Sequence, residues 1–142
     1  MRAVGAVALA VWLVLCPTAM RAGEPALVVI VHPSRADTPS REDVARIYLG
    51  RQRFWTDGSA IVALNLPAGA PLRERFSEAL LHRDSAHLAA YWNEQYFHGI
   101  LPPPVLSSTD AVKRYVASNP RAIGYIDATQ VDDSIRAVTR IE

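Results

Sequence analysis

The chain has 142 residues, half of them hydrophobic, with 15 basic against 14 acidic side chains and a single cysteine. That length suits one domain and is short for two. The balanced charge excludes the long-range basic field of a nucleic-acid-binding domain, and one cysteine excludes both a disulfide framework and a cysteine metal site.

Residues 1–22 read as a secretory signal peptide: Arg2 is a minimal positive start, residues 3–16 are almost unbroken apolar, and the small residues Ala19 and Ala22 follow. The apolar run, about 14 residues, is shorter than the roughly 20 that a membrane span needs; a retained anchor is the alternative. Cys16 lies inside this run between Leu15 and Pro17, a poor setting for lipid attachment. Cleavage after Ala22, or after Ala19, is expected. The former leaves a domain over 23–142 without cysteine, with 13 basic against 14 acidic residues once Arg2 and Arg21 are gone. The expected location is periplasmic or secreted, with a mature form that does not span the membrane. Lys113 is the only lysine, so nearly every cation is a guanidinium, suited to planar contacts with carboxylate or phosphate.

In chain order, Leu27-Val28-Val29-Ile30-Val31 is a β-branched run, the pattern of a strand covered on both faces. His32-Pro33-Ser34 ends it, because Pro33 has no N–H to donate. Ser40 then reads as an N-cap with Asp43 three residues on, and Val44, Ile47 and Tyr48 recur at helical spacing up to Gly50. Thr56-Asp57-Gly58-Ser59 is a turn before a second buried strand over 61–66. Pro67-Ala68-Gly69-Ala70-Pro71 is a loop whose last proline suits the first helical position, and Leu72, Phe76, Ala79 and Leu80 give the next helix one apolar side. Asp84 or Ser85 caps a third helix to Phe97, rich in aromatics. Leu101-Pro102-Pro103-Pro104 is a stiff connector that no helix crosses. Ser108 or Thr109 starts a fourth helix that ends at Asn119-Pro120; residues 122–126 form a third strand and 135–141 a fourth. Strands alternating with helices predict an α/β domain with a mostly parallel sheet flanked by helices.

Several of these features together, SREDVARIYLGRQRFW with its LSREELxxIFLGxxxxW-like spacing, then DGSAIVALNLP, then AIGYI after Asn119-Pro120, resemble the phosphate-binding subclass of periplasmic substrate-binding proteins of ABC transporters. The resemblance runs over residues 27–126 and implies one lobe of a two-lobed clamp. It also implies an anion held by an arginine and a Gly-Ser-Gly-Thr loop at the start of the helix over 72–81. Here that loop reads Pro67-Ala68-Gly69-Ala70-Pro71-Leu72. Only Gly69 keeps the pattern, Ala70 and Leu72 stand where hydroxyls would be, and Asn65-Leu66 falls where the arginine would be.

Four places are candidate sites. At the first, Gly69, Ala70 and Leu72 would offer main-chain N–H groups at a helix start and Arg73 a guanidinium, with Ser34, Arg35 and Asn65 on the opposite wall; water satisfying the N–H groups is the alternative. His32, Ser34 and Arg35 at the end of the first strand form the second. Arg51 and Arg53 beside Trp55 form the third, as a fork with a stacking face or as a solvated turn over a core tryptophan. Tyr91, Trp92, Tyr96 and Phe97 form the fourth, as an interaction face or as packing on the sheet. No metal-ligand set, nucleophile elbow or phosphate-gripping GxxxxGK loop is present, so neither an enzyme nor a cofactor is expected. Two functions follow. One is a small phosphate-like anion bound by an exported solute-binding-like or accessory module; the other is a cell-envelope module that binds a protein partner and no ligand.

Overall fold

The computed structural model describes Gly23 and residues 25–142; the signal peptide expected over 1–22 lies outside the described residues. Four strands, β1 (Leu27–Val31), β2 (Val62–Ala63), β3 (Ala122–Asp127) and β4 (Arg136–Ile141), form one sheet in the order β2-β3-β1-β4. Among the described residues four α-helices accompany them: α1 (Arg41–Tyr48), α2 (Pro71–Phe76), α3 (Ser85–Phe97) and α4 (Thr109–Ser118). No described helix is long and apolar enough to cross a membrane.

The helix starts follow their caps. Ser40 Oγ accepts from Asp43 N at 3.1 Å while Asp43 Oδ2 accepts from Ser40 N at 2.9 Å, a complete capping box. Asp84 accepts from His87 N and Ser108 from Ala111 N at the starts of α3 and α4. Of these four described α-helices, α2 starts without a side-chain cap, at Ala70. It continues through a π-helical stretch, Ser77–Leu81, and stops at His82 in the left-handed region.

The sheet is α/β as expected but mostly antiparallel. β1 pairs antiparallel with both β3 and β4, and only β2 and β3 run parallel. The run over 27–31 is buried at every position, which says that both faces are covered and nothing about direction. Direction is set by where the chain goes between β1 and β2. After α1 it returns to the edge of the sheet where β1 ended: Trp55 Nε1 donates to Arg121 O, just before β3, and Asp57 pairs with Arg35, just after β1. β2 therefore starts at that same edge and runs opposite to β1. The second strand is also shorter than expected, Val62–Ala63 within the predicted 61–66; Asn65 pairs instead with Val105 in an isolated parallel bridge.

Helices cover both faces. Alternation along β3 turns Gly124 toward α4, where an added β-carbon would lie 2.4 Å from Val112 Cγ1. It turns Tyr125 to the other face, stacked on Phe76 of α2 with ring centroids 4.0 Å apart and flanked edge-on by Tyr48 of α1. The fully buried Tyr48 hydroxyl donates to Leu64 O at 2.8 Å, and burial, with Tyr125 alongside, holds its ionisation well above the usual phenol range. Tyr48→Phe keeps the ring and leaves that carbonyl unmet, so it is expected to cost about 1–3 kcal/mol, read as a lower midpoint in urea unfolding with an unchanged slope.

Candidate functional site

The loop before α2 is built from its own side chains. Gly69 makes its turn with φ +85°, and Ala70 N donates back to Pro67 O at 3.1 Å. Gly69 N donates to Glu74 Oε1 at 3.3 Å, and the same carboxylate oxygen accepts from Ser85 Oγ at 2.7 Å. Pro71 offers no donor and Ala70 no hydroxyl. Arg73 Nη1 donates to Leu66 O at 2.8 Å, clasping the two ends of the loop. Leu72 packs against the core as a partly buried hydrophobe. Asn65 Oδ1 accepts from Tyr125 Oη at 2.5 Å and from Leu66 N at 2.9 Å. A carboxylate thus stands where an anion would meet the loop, and like charge opposes a second one.

Ser34 and Arg35 are not on the opposite wall of that loop. Because β1 runs against β2, its C-terminal end lies at the sheet edge where β2 begins, whereas residues 65–73 follow the far end of β2. The two halves of the expected site stand at opposite edges of the sheet. Arg35 is itself buried, at 8% exposure. Its Nε and Nη2 donate to Pro120 O at 3.0 and 2.7 Å, its Nη1 meets Asp37 and Asp57, and its guanidinium lies 4.7 Å from the centroid of the Trp55 ring. It is a structural cation. Ser34 Oγ is 2.7 Å from His32 Nδ1 within the same turn.

Trp55 is buried under Arg35, so Arg51 and Arg53 do not share a stacking face with it; both stay exposed. On α3, Tyr91 donates to Leu49 O at 2.7 Å, and Trp92 with Ile100 closes over Gly50. Tyr96 and Phe97, by contrast, are exposed at 64% and 86%.

An apolar groove of about 470 Å³ opens between β2 and the proline connector. Its floor is Ile47 and Trp92, one wall is Phe54 and Ala60 to Ala63, and the other runs from Ile100 to Pro104, with Arg53 at the rim. Phe54 and Leu101 at its mouth are 57% and 68% exposed. A volume of this size lined by apolar groups with few polar ones is typical of binding clefts.

No family model and no curated protein matches the chain. Solved structures do. An ABC-type phosphate transport receptor from Vibrio cholerae is similar with a TM-score of 0.65 at 21% identity, over 80% of this chain and 45% of that one. A putative phosphate ABC transporter substrate-binding protein with bound phosphate, from Clostridium perfringens, gives 0.67 at 23% over 80% and 44%. PstS from Borrelia burgdorferi gives 0.64 at 19% over 81% and 47%. The fold is that of the phosphate-type substrate-binding proteins.

The chain spans less than half the length of those structures, the extent expected of a single lobe. Within this phosphate-type fold Glu74 accepts from Gly69 N at the helix-start loop, and an apolar groove opens beside β2. Sequence reasoning missed that groove. Its signals were present as separate pieces, the proline run, Phe54 and the aromatic helix, but residues 54, 63, 92 and 101 meet only through tertiary contacts.

Proposed function

We propose that this protein is a docking module of the cell envelope: a single lobe of the phosphate-type solute-binding fold that recognises an apolar protein segment and not a small anion. The observation that carries this reading is the groove between β2 and the Pro102-Pro103-Pro104 wall, with Phe54 and Leu101 exposed at its mouth. Large apolar side chains left in water beside an apolar cleft mark interaction sites. Support also comes from the loop at α2, where Glu74 and Pro67 use the Gly69 and Ala70 groups that an anion would need.

Calorimetric titration with phosphate and sulfate is expected to give flat traces up to millimolar concentrations. Saturable phosphate binding that disappears in Arg73→Ala would instead restore the anion-binding reading. The docking itself is tested with a photo-crosslinking amino acid placed at Phe54 in cells. A defined adduct is expected there and not from the same group at exposed Asp133; equal yields at both positions would overturn the proposal.

A further inference from the structure

We infer that the groove takes an extended peptide as an added strand along the β2 edge at Ala63, with a carboxylate of that peptide on Arg53. This rests on the docking reading above and specifies its partner.

The backbone of β2 alternates. Val62 N and Leu64 N donate to Arg121 O and Ile123 O, toward β3. Ile61 N and Asn65 N donate the other way, to Arg53 O and Pro104 O. Between them Ala63 must also face away from β3, and neither its N–H nor its carbonyl has a hydrogen-bond partner among the described residues.

The proline wall accounts for the unpaired carbonyl. The segment around Val105 pairs in parallel with Asn65: Asn65 N donates to Pro104 O, and Leu106 N donates to Asn65 O. The next rung of that ladder would be the residue 104 N–H donating to Ala63 O. Residue 104 is proline and has no N–H, so the pairing stops there. Pro103 and Pro102 extend the stretch that cannot donate, and the connector diverges from β2 to leave the cleft. An unpaired donor and acceptor on an edge strand, beside an apolar cleft, is the arrangement used in strand addition. The prolines form a stiff wall that adds no competing donor.

Charge selects the occupant. Arg53 lines the groove, is exposed, and has no carboxylate within ion-pair distance among the described residues. Arg51 stands two residues away, also exposed, and no acidic side chain lines the groove. An apolar strand carrying an acid therefore fits, and one carrying a base does not.

The test is amide-resolved NMR of the protein titrated with a short acetylated and amidated peptide, Val-Glu-Val-Thr-Val. The controls are the same peptide with N-methylated backbone amides and a version with Lys in place of Glu. Saturable shifts centred on Ala63 and Ile61 are expected, with affinity reduced about tenfold or more by N-methylation, since the backbone bonds carry strand addition. Arg53→Glu is expected to weaken the Glu peptide and strengthen the Lys peptide, a reversal that loss of folding cannot produce. Binding that ignores N-methylation, or no peptide binding at all, overturns strand addition. So does concentration-dependent self-association that shields Ala63, which would make a second copy the occupant. If the Phe54 crosslink persists while the peptide fails, the docking reading stands and only strand addition falls; if both fail, both fall.

Discussion

Replacing Arg35 with alanine is expected to destabilise the protein toward the lower end of the about 3–5 kcal/mol for breaking a buried ion pair, because Asp37 and the Pro120 carbonyl lose their partner while half-exposed Asp57 stays solvated. The guanidinium satisfies Pro120 O twice, faces Asp37 and Asp57, and lies over Trp55, so one side chain joins the end of β1, the turn before β2 and the entry to β3. Arg35→Lys keeps the charge and loses the fork, and should recover only part of the loss. A pH series adds a second readout. Burial alone would raise the Asp37 pKa, but bonds from the Thr56 hydroxyl and N–H, and then Arg35, outweigh it and bring the net shift below the usual carboxylate value. Asp57 is lowered to about 2, first by Ser59 and only then by Arg35. Folded-state values below the unfolded ones mean that this stabilisation is present above about pH 4 and is lost as pH falls toward about 2. The wild type should therefore weaken across that window. Arg35→Ala should keep much of the Asp57 part of the slope, since Ser59 still holds that carboxylate. An Arg35→Ala variant as stable as wild type at pH 7 would refute the buried network.

Gly124→Ala should cost nearly as much, toward the upper end of the about 1–3 kcal/mol seen for overpacked cores. The new β-carbon would lie 2.4 Å from Val112 Cγ1 and 3.5 Å from Val116 Cγ2, on the face where α4 meets β3. Val112 is 1% exposed and β-branched, so it has little freedom to rotate away within its helix. Trimming the neighbour checks the cause: in a Val112→Ala background the same substitution should cost less than half as much. Additive losses across that double-mutant cycle would mean that the contact is not what glycine relieves.

The two expectations bear on function through the same geometry. Arg35 fixes the edge where β1 ends and β2 begins, so it helps to hold Phe54 and Ala60 to Ala63 as one wall of the groove. Glu74 holds the opposite end of the sheet closed around its own loop. The docking site proposed above is the groove beside β2, although resemblance to phosphate-type proteins directs attention to the start of α2.

Much of the fold was legible in the residues. The caps at Ser40, Asp84 and Ser108, the proline opening α2 and the buried runs of β1 and β3 are local signals, each acting within a few residues of itself. The sequence by itself also determined that the loop over 67–72 carries no hydroxyl side chain, where the resemblance implies a Gly-Ser-Gly-Thr loop, since that is a matter of residue identity. It could not determine strand direction, because a run buried on both faces is the same read from either end. Direction was decided by contacts between Trp55 and Arg121 and between Arg35 and Asp57, which bring the chain back to one edge. That reversal separated Ser34 and Arg35 from Gly69, Asn65 and Arg73, and turned an expected ligand arginine into a buried tie. The groove, too, belongs to tertiary structure alone: a proline at 104 matters to Ala63 only once the sheet has placed the two side by side.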